Sequence, residues 1–485
     1  MKNIVTIIMT CFLLASCQDL EEMNINPNQP TETHPQLLLT SLEWSVFRSY
    51  KGGSPLYAIK MIIQTDGENA NQYYKWDRSG FDEYGTLRDV TKMMEEAERI
   101  NEPTYVALGK FFRAHYFYHM TLRFGDLPYT AALKGETDAD FTPAYDTQQT
   151  IFEGILTELA EANDILRESN TIIAGDIIYS GDVLSWRRAI NAFRLKVLLT
   201  LSRKADDIDL DEFASIYQNE PLMGSIGDNA QLVFLDQQGN RYPDFNNSGF
   251  GSGLYMDSTF IRRLQDREDP RLFIYATQSK EAREAGSPID DFTGYKGGDP
   301  AAPYAEVNAT GLSKPNERYY RDAVNEPYVL LGYPEQQLIL AEAAIRGWIV
   351  ADASALYNSA VKASFAFYET YATGYENYVE EADADAYLSH PLNDLREAPS
   401  DEEKIERVIM QKYLQSFYQS GWTAFFDHLR TGYPSFRRPA GVEVPCRWIY
   451  PQTEYNYNTE NVTTAITRQF GEGNDKINVT TWWLK

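Results

Sequence analysis

The chain has 485 residues, 13% of them aromatic, and a formal net charge of −26 from 44 basic and 70 acidic side chains. That balance excludes nucleic acid as a partner, because no basic surface is available to neutralise phosphates. Two of its three cysteines, Cys11 and Cys17, fall in an N-terminal targeting segment, and Cys446 is left with no partner for an intrachain disulfide or a cysteine metal site.

Residues 1–17 read MKNIVTIIMTCFLLASC. Lys2 supplies a positive start, and Ile4 to Leu14 is an apolar run too short to span a bilayer as a mature helix. Leu14-Ala15-Ser16-Cys17 has the form of a bacterial lipobox: small residues admit a signal peptidase, and the Cys17 thiol then takes a lipid. Residues 1–16 are expected to be a signal peptide and 17–35 a lipid-anchored tether. Gln18 to Glu22 is acidic, as a solvated tether or a surface-export address would be. No later run reaches about 18 apolar residues, so the lipid is the expected membrane attachment.

Residues 36–50 and 54–64 predict helices with Leu, Trp and Ile on one face. The following stretch, 64–80, is polar yet carries Tyr73, Tyr74 and Trp76 beside Asp77. Exposed rings are costly unless covered, so these either dock on the core or stack on a sugar. Residues 86–100 and 103–122 form a helix pair, with Pro103 placed as at a helix start. Residues 147–168 and 185–204 form a second pair. Residues 205–331 lack sustained periodicity and predict an irregular insert, with a short strand near Gln231 to Leu235.

Tyr333 to Tyr368 predicts two antiparallel helices back to back, with alanines allowing close approach and Gly347 closing the first. This is a helical hairpin of tetratricopeptide type, and such a pair must stack on others to bury its apolar face. Residues 402–418 and 422–430 supply a further pair. From Tyr433 the chain predicts loops. The fold class is thus mostly α: a tetratricopeptide-like scaffold over 36–204 and 332–432, an irregular ligand-binding insert over 205–331, and C-terminal loops over 433–485.

No catalytic or metal motif emerges. His115 and His119 are four apart, but Tyr116 stands where a zinc-protease pair needs glutamate. Asp207, Asp209 and Asp211 begin like a calcium loop, but Glu212 and Gln218 occupy the positions that need Gly and Glu. Gly249 to Gly253 fits neither a nucleophile elbow nor a phosphate loop. No enzyme activity, cofactor or metal is expected. A sugar offers an apolar face to an aromatic ring and hydroxyls to Asn, Asp and Arg. The expected ligand residues are Tyr73, Tyr74, Trp76 and Asp77 in the first loop, with Tyr295, Tyr319, Tyr320 and Arg321 in the insert.

Several segments together carry a family resemblance. They are Arg123-Phe124-Gly125-Asp126-Leu127-Pro128-Tyr129, Ala341-Glu342-Ala343-Ala344 with Arg346-Gly347-Trp348, Gly421-Trp422, Arg430-Thr431-Gly432-Tyr433-Pro434, Arg447-Trp448-Ile449-Tyr450-Pro451 and Glu454-Tyr455-Asn456-Tyr457-Asn458. With the lipobox, they resemble the SusD/RagB outer-membrane lipoproteins of Bacteroidetes over nearly the whole chain. The resemblance implies a cell-surface location on the outer membrane, an oligosaccharide or peptide ligand, and a SusC-like TonB-dependent transporter as partner. The alternative is a helical-repeat adaptor or adhesin whose concave surface binds a peptide or protein.

Overall fold

The computed structural model describes residues 32–49, 53–251, 253–419 and 421–485. Cys17, the signal peptide and the tether up to residue 31 lie outside them. Among the described residues, helices dominate: α1 (Pro35–Ser49), α2 (Glu83–Arg99), α3 (Pro103–Phe124), α4 (Gln148–Arg167), α5 (Val183–Thr200), α6 (Leu210–Asn219), α7 (Ser258–Gln265), α8 (Tyr333–Ile345), α9 (Ala353–Tyr371), α10 (Asp401–Leu414), α11 (Thr423–Thr431) and α12 (Thr459–Phe470). Four short strands pair as two antiparallel ribbons, β1 (Ile62–Gln64) with β3 (Leu254–Met256) and β2 (Ala230–Leu232) with β4 (Tyr328–Leu331).

The helices start where capping chemistry allows. Thr147, Asp182, Asp352 and Ser400 each accept a backbone N–H from the first turn of α4, α5, α9 and α10. Proline stands in the first turn of α3 and α8, where its missing N–H costs nothing. Successive helices from α1 to α5 pack in chain order, and α8 then packs on α5, so the stack resumes after the insert. Next, α8 packs against α9 and α10, and α10 against α11. Enclosed by α5, α9 and α10, α8 has Leu338 through Ala343 all buried. Its small residues Ala341 and Ala343 leave room for its neighbours.

The segment 205–331 begins with α6, which packs on α5 in a satellite core of Leu195, Leu199, Phe213, Ile216, Ile339 and Ala343. The rest of it is short helices, turns and the strands β2, β3 and β4.

Two expected elements differ. The run 54–64 is not one helix: it is a short helix, Gly53–Ala58, followed by β1. Lys60 adopts a left-handed conformation, φ 61°, that ends helical geometry, and Ile62–Gln64 then finds backbone partners in β3. The tail is not all loop: it carries Gln452–Tyr457 and α12, whose Val462, Ala465 and Ile466 form a buried helical stripe.

A buried carboxyl pair ties α1 to the loop before α5. Asp176 accepts from the N–H groups of Ile178 (2.8 Å), Tyr179 (3.1 Å) and Gly181 (2.8 Å) and from Trp186 Nε1 (2.9 Å). Glu43, buried beside it, accepts from Ile177 N at 2.7 Å. Burial, and then the Asp176 charge, push the Glu43 carboxyl from 4.5 up to about 10. The folded state therefore holds one proton more than the unfolded chain between those values. That stabilisation is full at low pH and is lost as pH rises through the window. Glu43→Gln should remove the slope, which for one proton is at most about 1.4 kcal/mol per pH unit. Urea midpoints of both proteins between pH 5 and 9 check this. A wild-type-to-variant difference that stays constant with pH would rule Glu43 out as the titrating group.

Candidate ligand-binding face

The short helix Gly53–Ala58 presents Tyr57, and β1 leads on to Gln64, Thr65 and Asp66. In β3, alternation buries Leu254 and Met256 and turns Tyr255 outward, opposite Ile63. Thr65 donates from its N–H to the Gly253 carbonyl at 2.9 Å, extending the ribbon by one step. Gly253 has φ 58°, and a Cβ there would collide with the Asp66 carboxylate. Only glycine lets that carboxylate lie so close to the backbone.

Side chains then fix Asp66 in place. The Tyr57 hydroxyl donates to Gln64 Oε1 at 2.8 Å, and Gln64 Nε2 donates to Asp66. The Gln64 N–H is itself held by Gln72 Oε1 at 2.7 Å. Burial, and secondarily the Asp66 charge, push the Tyr57 hydroxyl up to about 12, so it remains a donor. Asp66 is exposed and offers acceptor oxygens to solvent.

Beyond Gly253, the face continues through Lys314 and Tyr320. Lys314 Nζ lies 4.9 Å from the Tyr255 ring centroid and donates to the Gly251 carbonyl at 3.1 Å. Phe250, buried, has its ring 5.1 Å from Tyr320 and 6.0 Å from Tyr418. Burial of Tyr418, with the nearby Asp244 and Tyr57 groups, holds its hydroxyl protonated. The result is a face of half-buried rings, Tyr57, Tyr255 and Tyr320, over a floor of Phe250 and Tyr418, with a carboxylate at one end.

The loop 64–80 and the insert do meet, because the Tyr73 hydroxyl donates to the Ala302 carbonyl at 2.8 Å. Most of the expected ligand aromatics, however, are consumed by packing. Tyr73 is buried. Tyr74 is buried, with its hydroxyl on the Ala58 carbonyl at 2.6 Å and Lys60 Nζ 4.1 Å over its ring. Trp76 is only 9% exposed: it stacks on Trp448 at 4.2 Å and meets Trp422 edge-on at 5.6 Å. The C-terminal aromatics cover this ring, which a local reading of a polar loop cannot reveal. Asp77 is exposed, beside Arg78, whose guanidinium is tied to Tyr450 and Asp475 of the tail. Tyr295 is buried, bonded to the Ile289 carbonyl at 2.8 Å. Tyr319 is fully enclosed, stacked 4.7 Å from Tyr418. Of the eight, Tyr320 and its neighbour Arg321 lie at the face, with Arg321 paired to Glu317 at 3.0 Å.

Tyr57, Asp66, Tyr255 and Lys314 were not distinguished in the sequence. Tyr255 carried a period-two signal, but the run Leu254–Met256 is too short for it to be read. His115 is buried in α3 with its ring 4.5 Å from that of His119, and burial lowers it to about 3. Among the described residues, no cluster of three His, Cys, Asp or Glu is arranged to hold a metal ion.

A family model described as "Starch-binding associating with outer membrane" matches residues 27–451. The chain belongs to the SusD-like family. A SusD homolog from Bacteroides fragilis is 54% identical, with a TM-score of 0.90, over 94% of this chain and 100% of its own. A second SusD homolog from the same species is 34% identical with a TM-score of 0.87, over 93% and 100%. A chitin-binding SusD homolog from Flavobacterium johnsoniae, 19% identical with a TM-score of 0.72 over 93% and 99%, shares the fold. No curated protein matches the chain. Family membership accounts for the SusD-like segments quoted above: Trp422 and Trp448 build the aromatic cluster around Trp76, and Arg430 is a buried ion-pair hub. No helix among the described residues is long and apolar enough to cross a membrane.

Proposed function

We propose that this SusD-like protein is a cell-surface lipoprotein that captures an oligosaccharide and delivers it to a TonB-dependent outer-membrane transporter. The observation that carries the capture step is the face of Tyr57, Tyr255 and Tyr320 with the exposed, positioned carboxylate of Asp66. Tyrosine rings cover the apolar faces of a pyranose, and a carboxylate accepts from adjacent hydroxyls. The family description, starch binding in association with the outer membrane, agrees with that chemistry. The transporter follows from family membership alone.

Tyr320→Ala and Tyr255→Ala should each weaken oligosaccharide binding by about 1–3 kcal/mol, as for central interface aromatics. Both rings are half-buried, so far-UV circular dichroism should change little. Calorimetry against a panel of starch, chitin and plant-wall oligosaccharides checks this. Wild-type affinity in both variants would remove the face from consideration.

Anchoring is proposed through Cys17. Cys17→Ala should abolish lipid labelling and release the protein from the membrane fraction after a high-salt wash that strips partner contacts. Full retention of the variant under that wash would argue against the lipobox.

A further inference from the structure

The chain carries 26 more acidic than basic side chains, yet both outer rings of the face lie under cations. Lys314 Nζ sits 4.9 Å from the Tyr255 centroid, and the Arg321 guanidinium 5.8 Å from that of Tyr320. Lys314 contacts a ring and a carbonyl, and among the described residues no carboxylate lies within ion-pair distance of it. Its backbone is clamped: Thr277 N donates to the Lys314 carbonyl at 2.8 Å, and Lys314 N to Thr277 Oγ1 at 3.3 Å. The neighbouring residue Pro315 bridges to Ala276. Arg321 has an acidic partner, Glu317, but both side chains are well exposed, at 67% and 42%. A pair so exposed is worth little and exchanges partners readily.

The acidic groups near the face are accounted for. Asp66 is at the far end, against Gly253, and bonded to Gln64. Glu317 is engaged by Arg321, Asp244 accepts from Asn247 Nδ2 at 2.8 Å, and Asp322 accepts from the Val324 N–H at 3.0 Å. The region between Tyr255 and Tyr320 therefore presents a fixed positive charge with donor capacity to spare, since an ammonium has three N–H groups.

We propose that the ligand of this face is an acidic saccharide whose carboxylate or sulfate is taken by Lys314, with Arg321 as a second contact. This rests on the reading of the face as a glycan platform. The ammonium held over Tyr255 would bond an anionic substituent while the pyranose lies against the open surfaces of the tyrosines. Asp66 would accept hydroxyls of a neighbouring residue of the same chain.

The test is calorimetry at low ionic strength on the full mature chain with four oligosaccharides of matched length. Cellohexaose and chitohexaose are neutral, hexagalacturonate carries carboxylates only, and a carrageenan hexasaccharide carries sulfates only. At least one acidic oligosaccharide should bind about 10-fold or more tightly than the neutral ones, the scale of one charge-assisted hydrogen bond. Which of the two binds identifies the anionic group. Lys314→Gln should abolish that preference, bringing the acidic-to-neutral affinity ratio to about one, while Lys314→Arg should keep it. Equal binding of neutral and acidic oligosaccharides, or the same loss for both in Lys314→Gln, overturns the charge assignment. The platform itself survives that result if Tyr320→Ala still weakens binding. If no oligosaccharide binds, or if Tyr320→Ala and Tyr255→Ala have no effect, the platform reading fails and the proposal with it.

Discussion

Replacing Arg430 with methionine is expected to destabilise the protein by about 3–5 kcal/mol, the range for removing one partner of a buried ion pair. Arg430 is 5% exposed and sits where α11 meets α8. Its guanidinium binds both oxygens of Glu342, with Nη2 at 2.8 Å from Oε2, and reaches Asp427 Oδ1 at 2.9 Å and Ser202 Oγ at 3.1 Å. Burial alone would raise both carboxyls, but Arg430, with Arg346 at Glu342 and Lys412 at Asp427, outweighs it and holds both low. Without the guanidinium, Glu342 keeps Arg346 at 2.8 Å and Asp427 keeps Lys412 at 2.6 Å, but Glu342 loses its bidentate partner and Asp427 its second cation in a buried site. Urea unfolding at pH 7 measures the loss. Adding Glu342→Met to Arg430→Met should recover part of it, because the uncompensated charge then disappears. An unchanged midpoint in the single variant would mean that water reaches this site and screens it.

This hub also explains why a short sequence segment is informative. In Arg430-Thr431-Gly432, the arginine is the hub. The Thr431 hydroxyl donates to the Asp427 carbonyl at 2.7 Å, and Gly432, φ 84°, ends α11 in a left-handed cap. Each residue type is demanded by the helix end rather than by a ligand.

The helical stack was legible because its signals are local. Apolar residues recur at helical spacing in α4, α5 and α9, and caps such as Thr147, Asp182 and Asp352 stand immediately before them. Helix α12 was missed because its buried stripe of Val462, Ala465 and Ile466 is diluted by threonines and charges. β1 was missed because its apolar residues continue a helical run, and the left-handed turn at Lys60 is a tertiary choice with no sequence mark. The site was harder still. Trp76 looked available because its coverings, Trp422 and Trp448, lie more than 300 residues further along the chain. Asp66 became notable only once Gly253 was brought against it from the other strand of the ribbon. Exposure is a property of the packed whole, so ring-rich polar loops identify candidates without deciding which rings face solvent.

Arg271→Met is expected to cost about as much as Arg430→Met, again about 3–5 kcal/mol, but with a second consequence. Arg271 and Asp269 are both fully enclosed, and Arg271 Nη2 lies 2.7 Å from Asp269 Oδ2. The guanidinium also donates to Ser364 Oγ at 3.2 Å on α9 and to Gln411 Oε1 at 3.0 Å on α10. The Tyr387 hydroxyl donates to the same Asp269 oxygen at 3.2 Å. Arg271 thus helps to fasten the short helix Arg271–Tyr275 of the insert to the helical stack, together with the Tyr275 hydroxyl, which bonds Tyr368 Oη at 2.9 Å on α9 and the Leu414 carbonyl at 3.1 Å on α10. That helix in turn positions the segment bearing Tyr320. The Asn316 N–H donates to the Tyr275 carbonyl at 2.9 Å, and Arg318 Nε to the Ile274 carbonyl at 3.1 Å. Loosening the fastening should therefore displace Tyr320 from its place beside Phe250. At a temperature where both variants remain folded, Arg271→Met should weaken oligosaccharide binding by several-fold, on the order of 1 kcal/mol, whereas Arg430→Met, which lies among the stack helices, should bind as the wild type does. Parallel urea unfolding and calorimetry on the two variants make the comparison. Equal affinity in both, at matched loss of stability, would show that the face holds its geometry without the Arg271 fastening and that Tyr275 and the Phe250–Tyr418 floor suffice to position Tyr320.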